Sequence, residues 1–162
     1  MNWFNNRKMS TKLSLSFGLV LLLAAVIGGF ALLQLNRVAA TADDLGNNWL
    51  PATRAASDMN TNTSDLRIAE LQHVQSLTDA EMAAYEKAMD QTMAVFAKNE
   101  AEYVSLIASP EEQQLWDTFK KQWAEYLQEH QKILTLSRAN RNDEAKALIR
   151  GTAQEKFDTA SA

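Results

Sequence analysis

The stretch Leu13–Leu35, LSLSFGLVLLLAAVIGGFALLQL, decides how the rest of the chain is read. No charged residue falls between Lys12 and Arg37, and the polar members Ser14, Ser16 and Gln34 lie near its ends. At about 1.5 Å per residue, a helix of this length crosses the roughly 30 Å hydrocarbon layer of a bilayer with some tilt. The flanks give a direction. Arg7, Lys8 and Lys12 precede the run, and no acid occurs before Asp43. Basic residues collect on the cytoplasmic side, so the first residues are expected inside and everything after the run outside, which in a bacterium is the periplasm. The competing reading is a secretory signal cut after Ala39-Ala40-Thr41-Ala42. Signal cores are shorter, about 7–15 residues, so the run reads as a retained anchor. Either way the remainder is exported.

Composition narrows the function of that remainder. All 20 acids and 12 of the 16 bases follow Arg37, an excess of eight acids. Nucleic-acid binding, which uses a basic face, is disfavoured. The absence of cysteine excludes disulfides, zinc-thiolate sites, thiol catalysis and c-type haem attachment. Two prolines and five glycines leave few helix breakers, so long helices are expected. The lead holds Trp3 and Phe4, suited to an interfacial aromatic belt. Ala24, Ala25, Gly28 and Gly29 form small-xxx-small pairs, which either let two membrane helices approach or simply face lipid.

Beyond the run, the first helix is expected to continue through Asn36, to kink or break at Gly46–Pro51, where Pro51 removes a backbone hydrogen bond, and to run on to Leu77. Thr78-Asp79-Ala80-Glu81 is a capping box that opens a second helix to about Ala108. Its seam is Met82, Tyr85, Met89, Thr92, Phe96, Asn99, Tyr103 and Leu106. Ser109-Pro110-Glu111-Glu112 opens a third helix to about Arg138, with Trp116, Phe119, Trp123, Tyr126, His130 and Ile133 as its core side. Asn142-Asp143-Glu144 caps a short fourth. The expected fold is all-α: a transmembrane helix continuing into an up-down-up-down four-helix bundle whose fourth helix is truncated. The expected divisions are a cytoplasmic lead at 1–12, a membrane helix at 13–35 and an incomplete ligand-binding bundle at 36–162.

No catalytic constellation is present: no nucleophile elbow, no phosphate loop, no paired-histidine motif. The chain is expected not to be an enzyme and to hold no cofactor or metal. His73 and His130 each lack a second ligand at helical spacing, so they read as seam or surface residues. One stretch departs from the bundle pattern. Asn60-Thr61-Asn62-Thr63-Ser64-Asp65 is polar all round, so some of these side chains must point into the core or towards a partner. Asn60, Ser64 and Arg67 share a face at i, i+4 and i+7. A guanidinium beside amides and hydroxyls suits a ligand carboxylate. The alternative is a plain ion pair between Arg67 and Glu70.

The stretch NWLPATRAASDMNTNTSDLRIAELQHVQSL, behind a basic start and an apolar helix, resembles the N-terminal sensory part of bacterial methyl-accepting chemotaxis proteins. Asn48-Trp49-Leu50-Pro51 and Arg67-Ile68-Ala69-Glu70 through His73-Val74 carry most of the likeness. The resemblance implies a homodimer in the inner membrane that binds a small organic acid or amino acid in the periplasm. It also implies signalling to a chemotaxis kinase through a cytoplasmic part that this sequence lacks. It places ligand contacts at Arg67, with Asn60 and Ser64 on the same helix, His130 on the third and Thr152 on the fourth. The same bundle also serves histidine kinases and nucleotide cyclases, and a membrane-anchored helical interaction protein is the non-sensory alternative.

Overall fold

The structure, a computed structural model, describes residues 8–161. Trp3, Phe4 and Arg7 lie outside the described residues. The chain is all-α and divides into two compact units, one up to Asn47 and one from Asn48 onward.

The first unit is dominated by helix α1, Met9–Asp44. None of its residues is buried, and Leu, Val, Ile and Phe side chains are exposed all round it. A helix that is apolar on every face has no preferred side for a protein core, whereas lipid can cover all of it. Two of its hydroxyls are turned back on the backbone. Ser16 Oγ donates to Lys12 O at 3.0 Å and Thr41 Oγ1 to Arg37 O at 3.0 Å. Such bonds satisfy side-chain donors without water.

Leu45–Trp49 is a π-helical turn, and α2 follows as Leu50–Gln75. Of the kink or break expected at Gly46–Pro51, the structure has no break but a local change of helix type. Pro51 sits in the first turn of α2. A proline ring clashes with the carbonyl four residues earlier, and one widened π turn before it relieves that clash while the backbone stays helical.

The second unit contains α2, α3 (Asp79–Leu106), α4 (Pro110–Arg138), α5 (Asn142–Arg150) and α6 (Thr152–Ser161). α2 lies along α3 and also meets α4 and α5, while α4 packs on α5 and α6. Both capping boxes form. Thr78 Oγ1 accepts from Glu81 N, and Glu81 Oε2 accepts from Leu77 N at 2.8 Å. Ser109 Oγ accepts from Glu112 N, and Glu112 Oε2 accepts from Ala108 N at 3.1 Å. The seams point inward as their spacing requires: Met82, Met89 and Phe96 of α3 and Trp116, Trp123, Tyr126 and Ile133 of α4 are all buried. α4 ends through Asn140, whose φ of 56° is left-handed, and Arg141 N donates back to Leu136 O at 2.9 Å. Asparagine tolerates that conformation, and the bond closes the helix end.

The fourth segment differs from its expectation. Asn142 makes no cap; its Oδ1 is buried without a partner, and Arg141 pairs with Glu144 instead. The segment is also two helices, interrupted at Gly151. A Cβ there would lie 3.2 Å from Ala147 O, so glycine lets the two backbones turn close together.

Candidate functional site

Along the buried face of α2, helical spacing stacks Leu66, Arg67, Glu70, His73 and Val74 above one another. Three of these five are ionisable, and the fold supplies partners for each. Glu70 has no solvent exposure. Its Oε1 accepts from Arg67 Nη1 at 2.9 Å; its Oε2 accepts from His130 Nδ1 at 2.6 Å and from Tyr126 OH at 3.2 Å. Because the carboxylate only accepts, the His130 hydrogen sits on Nδ1. Burial, reinforced by the neighbouring Glu70 charge, pushes the Tyr126 phenol well above its ordinary range, so it stays a donor.

Arg67 also reaches the fourth segment. Nη2 donates to Ile149 O at 2.9 Å and to Gln154 Oε1 at 3.0 Å. The guanidinium lies 5.7 Å from the Tyr126 ring centroid and 5.4 Å from that of Phe157. Ile149 is in the last turn of α5, where carbonyls lack intrahelical donors and the helix dipole favours a cation. Arg67 thus caps α5 at the Gly151 interruption, and a single buried network joins α2, α4, α5 and α6.

A second cluster sits where α2 and α4 both end. His73, fully buried, approaches Ser137 Oγ through Nδ1 at 2.9 Å and Glu86 Oε1 through Nε2 at 3.1 Å. Ser137 Oγ is also 3.3 Å from His73 O. Arg138 Nε donates to Glu86 Oε1 at 2.6 Å. The Arg138 bond is the main reason that the Glu86 carboxyl lies below its ordinary range; burial opposes it, and His73 adds a smaller lowering effect.

Of the five residues singled out by sequence, the structure brings Arg67 and His130 together through Glu70. Thr152 is exposed on α6, its hydroxyl 3.3 Å from Glu129 Oε2 of α4. Ser64 Oγ donates to the backbone carbonyl of Asn60, and both residues are exposed. The polar run turns two side chains inward. Thr63 is buried, donating to Asn60 O at 2.8 Å, and Asn62 Oδ1 accepts from Asn99 Nδ2 at 3.0 Å. The ion pair between Arg67 and Glu70 forms, and it forms in the core.

Sequence reading passed over Glu70 as a hub, and also Tyr126, Gln154, Ser137, Glu86 and Arg138. One signal was available: Arg67, Glu70 and His73 repeat at intervals of three on a helix whose other buried positions are, Thr63 apart, apolar. At the opposite end of the bundle, Trp116, Phe119, Trp123, Tyr103 and Met59 line an open groove of about 820 Å³ that runs on from the last residues of α6. Among the described residues, no group of three or more acidic or histidine side chains is placed to hold a metal ion.

The comparisons agree with this architecture. A family described as a four helix bundle sensory module for signal transduction matches residues 6–162. The chain is 23% identical over 141 residues to YvaQ of Bacillus subtilis (strain 168), a protein named as a sensory transducer; the alignment covers 87% of this chain and 25% of that protein. The chain therefore spans about a quarter of the length of the curated relative it matches. No solved structure matches. With its apolar leading helix, its capped amphipathic helices and a family match over nearly its whole length, the chain belongs to the four-helix-bundle sensory modules of the methyl-accepting chemotaxis type, a sensory and not a catalytic family.

Proposed function

We propose that this module detects a small carboxylate in the periplasm and relays its binding across the inner membrane to a kinase-controlling cytoplasmic part. In this reading α1 crosses the bilayer with its basic lead in the cytoplasm. The helices form an up-down-up-down bundle, and two bundles pair as a homodimer. The relative's name and the family description support a transducer role.

The observation that carries the ligand reading is the position of Arg67. One of its donors holds the interruption between α5 and α6, and the same nitrogen is shared with Gln154, whose side chain is exposed. A ligand carboxylate that displaces the Gln154 amide exchanges a neutral acceptor for a charged one, which a guanidinium binds more strongly. His130 holds Glu70 behind this position. Binding there changes the contacts of the helix that leaves the bundle, which is the mechanical requirement for a signal.

The test is calorimetric titration of organic and amino acids into the full chain in detergent, after a thermal-shift screen. Gln154→Ala is expected to tighten binding by a few-fold without loss of fold, because it removes the internal competitor. Arg67→Ala is expected to cost between one and four decades of affinity, the range for losing the partner of a buried charge. Unchanged affinity in both variants overturns the reading.

A further inference from the structure

The cluster at the ends of α2 and α4 has a property that the Arg67 network lacks: every one of its polar groups stays paired whether or not an extra proton is present. Consider His73 neutral. Glu86 accepts only, so the ring hydrogen is on Nε2, directed at Glu86 Oε1 3.1 Å away. Nδ1 then accepts, and Ser137 OH donates to it across 2.9 Å. Now add a proton to Nδ1. The ring donates to Ser137 Oγ across the same 2.9 Å, and the serine hydrogen swings to the His73 carbonyl at 3.3 Å. A hydroxyl both donates and accepts, so one rotation accommodates the change. Both side chains are fully buried, so an unpaired group in either state would have a substantial cost.

We propose that His73 is a proton-binding site of this sensory module, with Ser137 as the rotor that admits the proton and Glu86 as its counter-charge. The imidazole is the side chain whose charge ordinarily changes between pH 5 and 8, so the stimulus is external pH and that window is the one to test. The inference is independent of carboxylate binding at Arg67.

The surrounding charges fit a gain of one positive charge. From α3, Glu86 faces the ring directly, and Asp90 one turn later acts on Arg138. From α4, Arg138 shares Glu86 with His73, and His130 is occupied with Glu70. On α2, Glu70 is committed to Arg67, Tyr126 and His130. Beyond the helix end, Glu81 is committed to the Leu77 amide. From α5, Lys146 and Arg150 lie beside Leu71, Val74 and Gln75. Neutral His73 leaves Glu86 and Asp90 facing Arg138; protonated His73 brings these four groups to two charges of each sign. His73 also lies in the last turn of α2, where the helix dipole favours a cation. Protonation therefore makes the Ser137 contact charge-assisted and turns the Glu86 contact into an ion pair, drawing α2, α3 and α4 together at this end.

The experiment uses the full chain in detergent micelles, with the histidine rings followed by NMR and thermal unfolding followed by circular dichroism from pH 8 to pH 5. The His73 ring resonances are expected to move over this range. Thermal unfolding of wild type and His73→Gln over the same range reports whether the added charge is coupled to the packing of this end. Ser137→Ala keeps His73 but leaves a protonated Nδ1 without an acceptor; it is expected to abolish the movement of the ring resonances while the helical signal at pH 8 is kept. If His73→Gln does not fold, the ring titration in wild type and Ser137→Ala decides alone. Ring resonances that are static from pH 8 to pH 5, or that move equally in Ser137→Ala, overturn the proposal.

Discussion

The two ends of the bundle are built from opposite materials. Where α4 begins, the interior is a ladder of rings: Tyr103 and Trp116 at 5.4 Å, Trp116 and Phe119 at 5.4 Å, Phe96 and Trp123 at 5.6 Å, Trp123 and Tyr126 at 5.0 Å. Where α2 and α4 finish, the same interior positions carry Arg67, Glu70, His73, His130 and Ser137, all buried. Apolar packing is nearly indifferent to solution conditions and rewards any arrangement that hides area. A buried polar network works differently. It tolerates only arrangements in which each group is paired, so it fixes register and responds to a change in any one charge. A sensor needs both: one end that holds the helices together, and one end whose preferred arrangement a ligand or a proton can alter.

Breaking the polar end at its hub gives the largest expected effect. Glu70→Ala leaves the Arg67 charge in the core without its main partner, which typically costs about 3–5 kcal/mol. Urea denaturation of the full chain in detergent measures it. The companion variant carries Arg67→Met, Glu70→Leu and His130→Phe together. Replacing a whole buried ionic set with apolar groups is often neutral or stabilising by about 1–4 kcal/mol. That variant is expected to fold at least as stably as wild type while losing response to carboxylates. A triple variant as unstable as Glu70→Ala would mean that the network is there for stability and erase the contrast drawn between the two ends.

The ring end is tested at Phe96, which is buried and stacks on Trp123. Phe96→Ala is expected to cost about 3–5 kcal/mol, the usual range for removing a buried aromatic side chain. The cost is expected to be equal at pH 5 and pH 8, since no ionisable group is touched. A pH-dependent cost would show that the two ends are coupled more tightly than their chemistry suggests.

This contrast also explains what could be read from sequence. The ring end was legible because apolar side chains repeat at helical spacing: each seam position from Met82 to Leu106 is buried or half-buried, and α3 and α4 begin at the caps that Thr78 and Ser109 provide. The apolar leading helix was legible for the same reason, since hydropathy is additive along a chain. The polar end was not, because pairing depends on partners far away in sequence. Arg67 meets Ile149 and Gln154, and Glu70 meets Tyr126 and His130, only after four helices have assembled. The π turn before Pro51 and the interruption at Gly151 were illegible in another way: each is a backbone adjustment to a local clash or a close approach, for which one residue type gives no direction.

Tyr126 stands at the junction of the two ends, with a ring in the ladder and a hydroxyl 3.2 Å from Glu70. Tyr126→Phe keeps the ring and removes the bond. The expected cost is about 1 kcal/mol, the usual net value of one hydrogen bond, because Arg67 and His130 still satisfy Glu70. Equilibrium unfolding at pH 7 reads it, and a cost near that of Glu70→Ala would place the phenol among the essential donors.

The smallest effect expected belongs to Glu86 and Arg138, at the rim of the polar end. The Glu86 carboxyl is held below its ordinary range, chiefly by the Arg138 bond. A carboxyl whose folded value is depressed binds protons more weakly when folded than when unfolded. Its contribution is thus complete above the ordinary carboxylate range and is lost as pH falls through the folded value. The Glu86 side chain is 32% exposed and that of Arg138 51%, so water screens the pair and its worth is under about 1 kcal/mol. Arg138→Ala is therefore expected to lower stability by a few tenths of a kcal/mol at pH 7. The difference from wild type should shrink as the pH falls through the folded Glu86 value. A difference between wild type and Arg138→Ala that persists unchanged to pH 3 would show that Arg138 contributes by packing its stem and not by its charge.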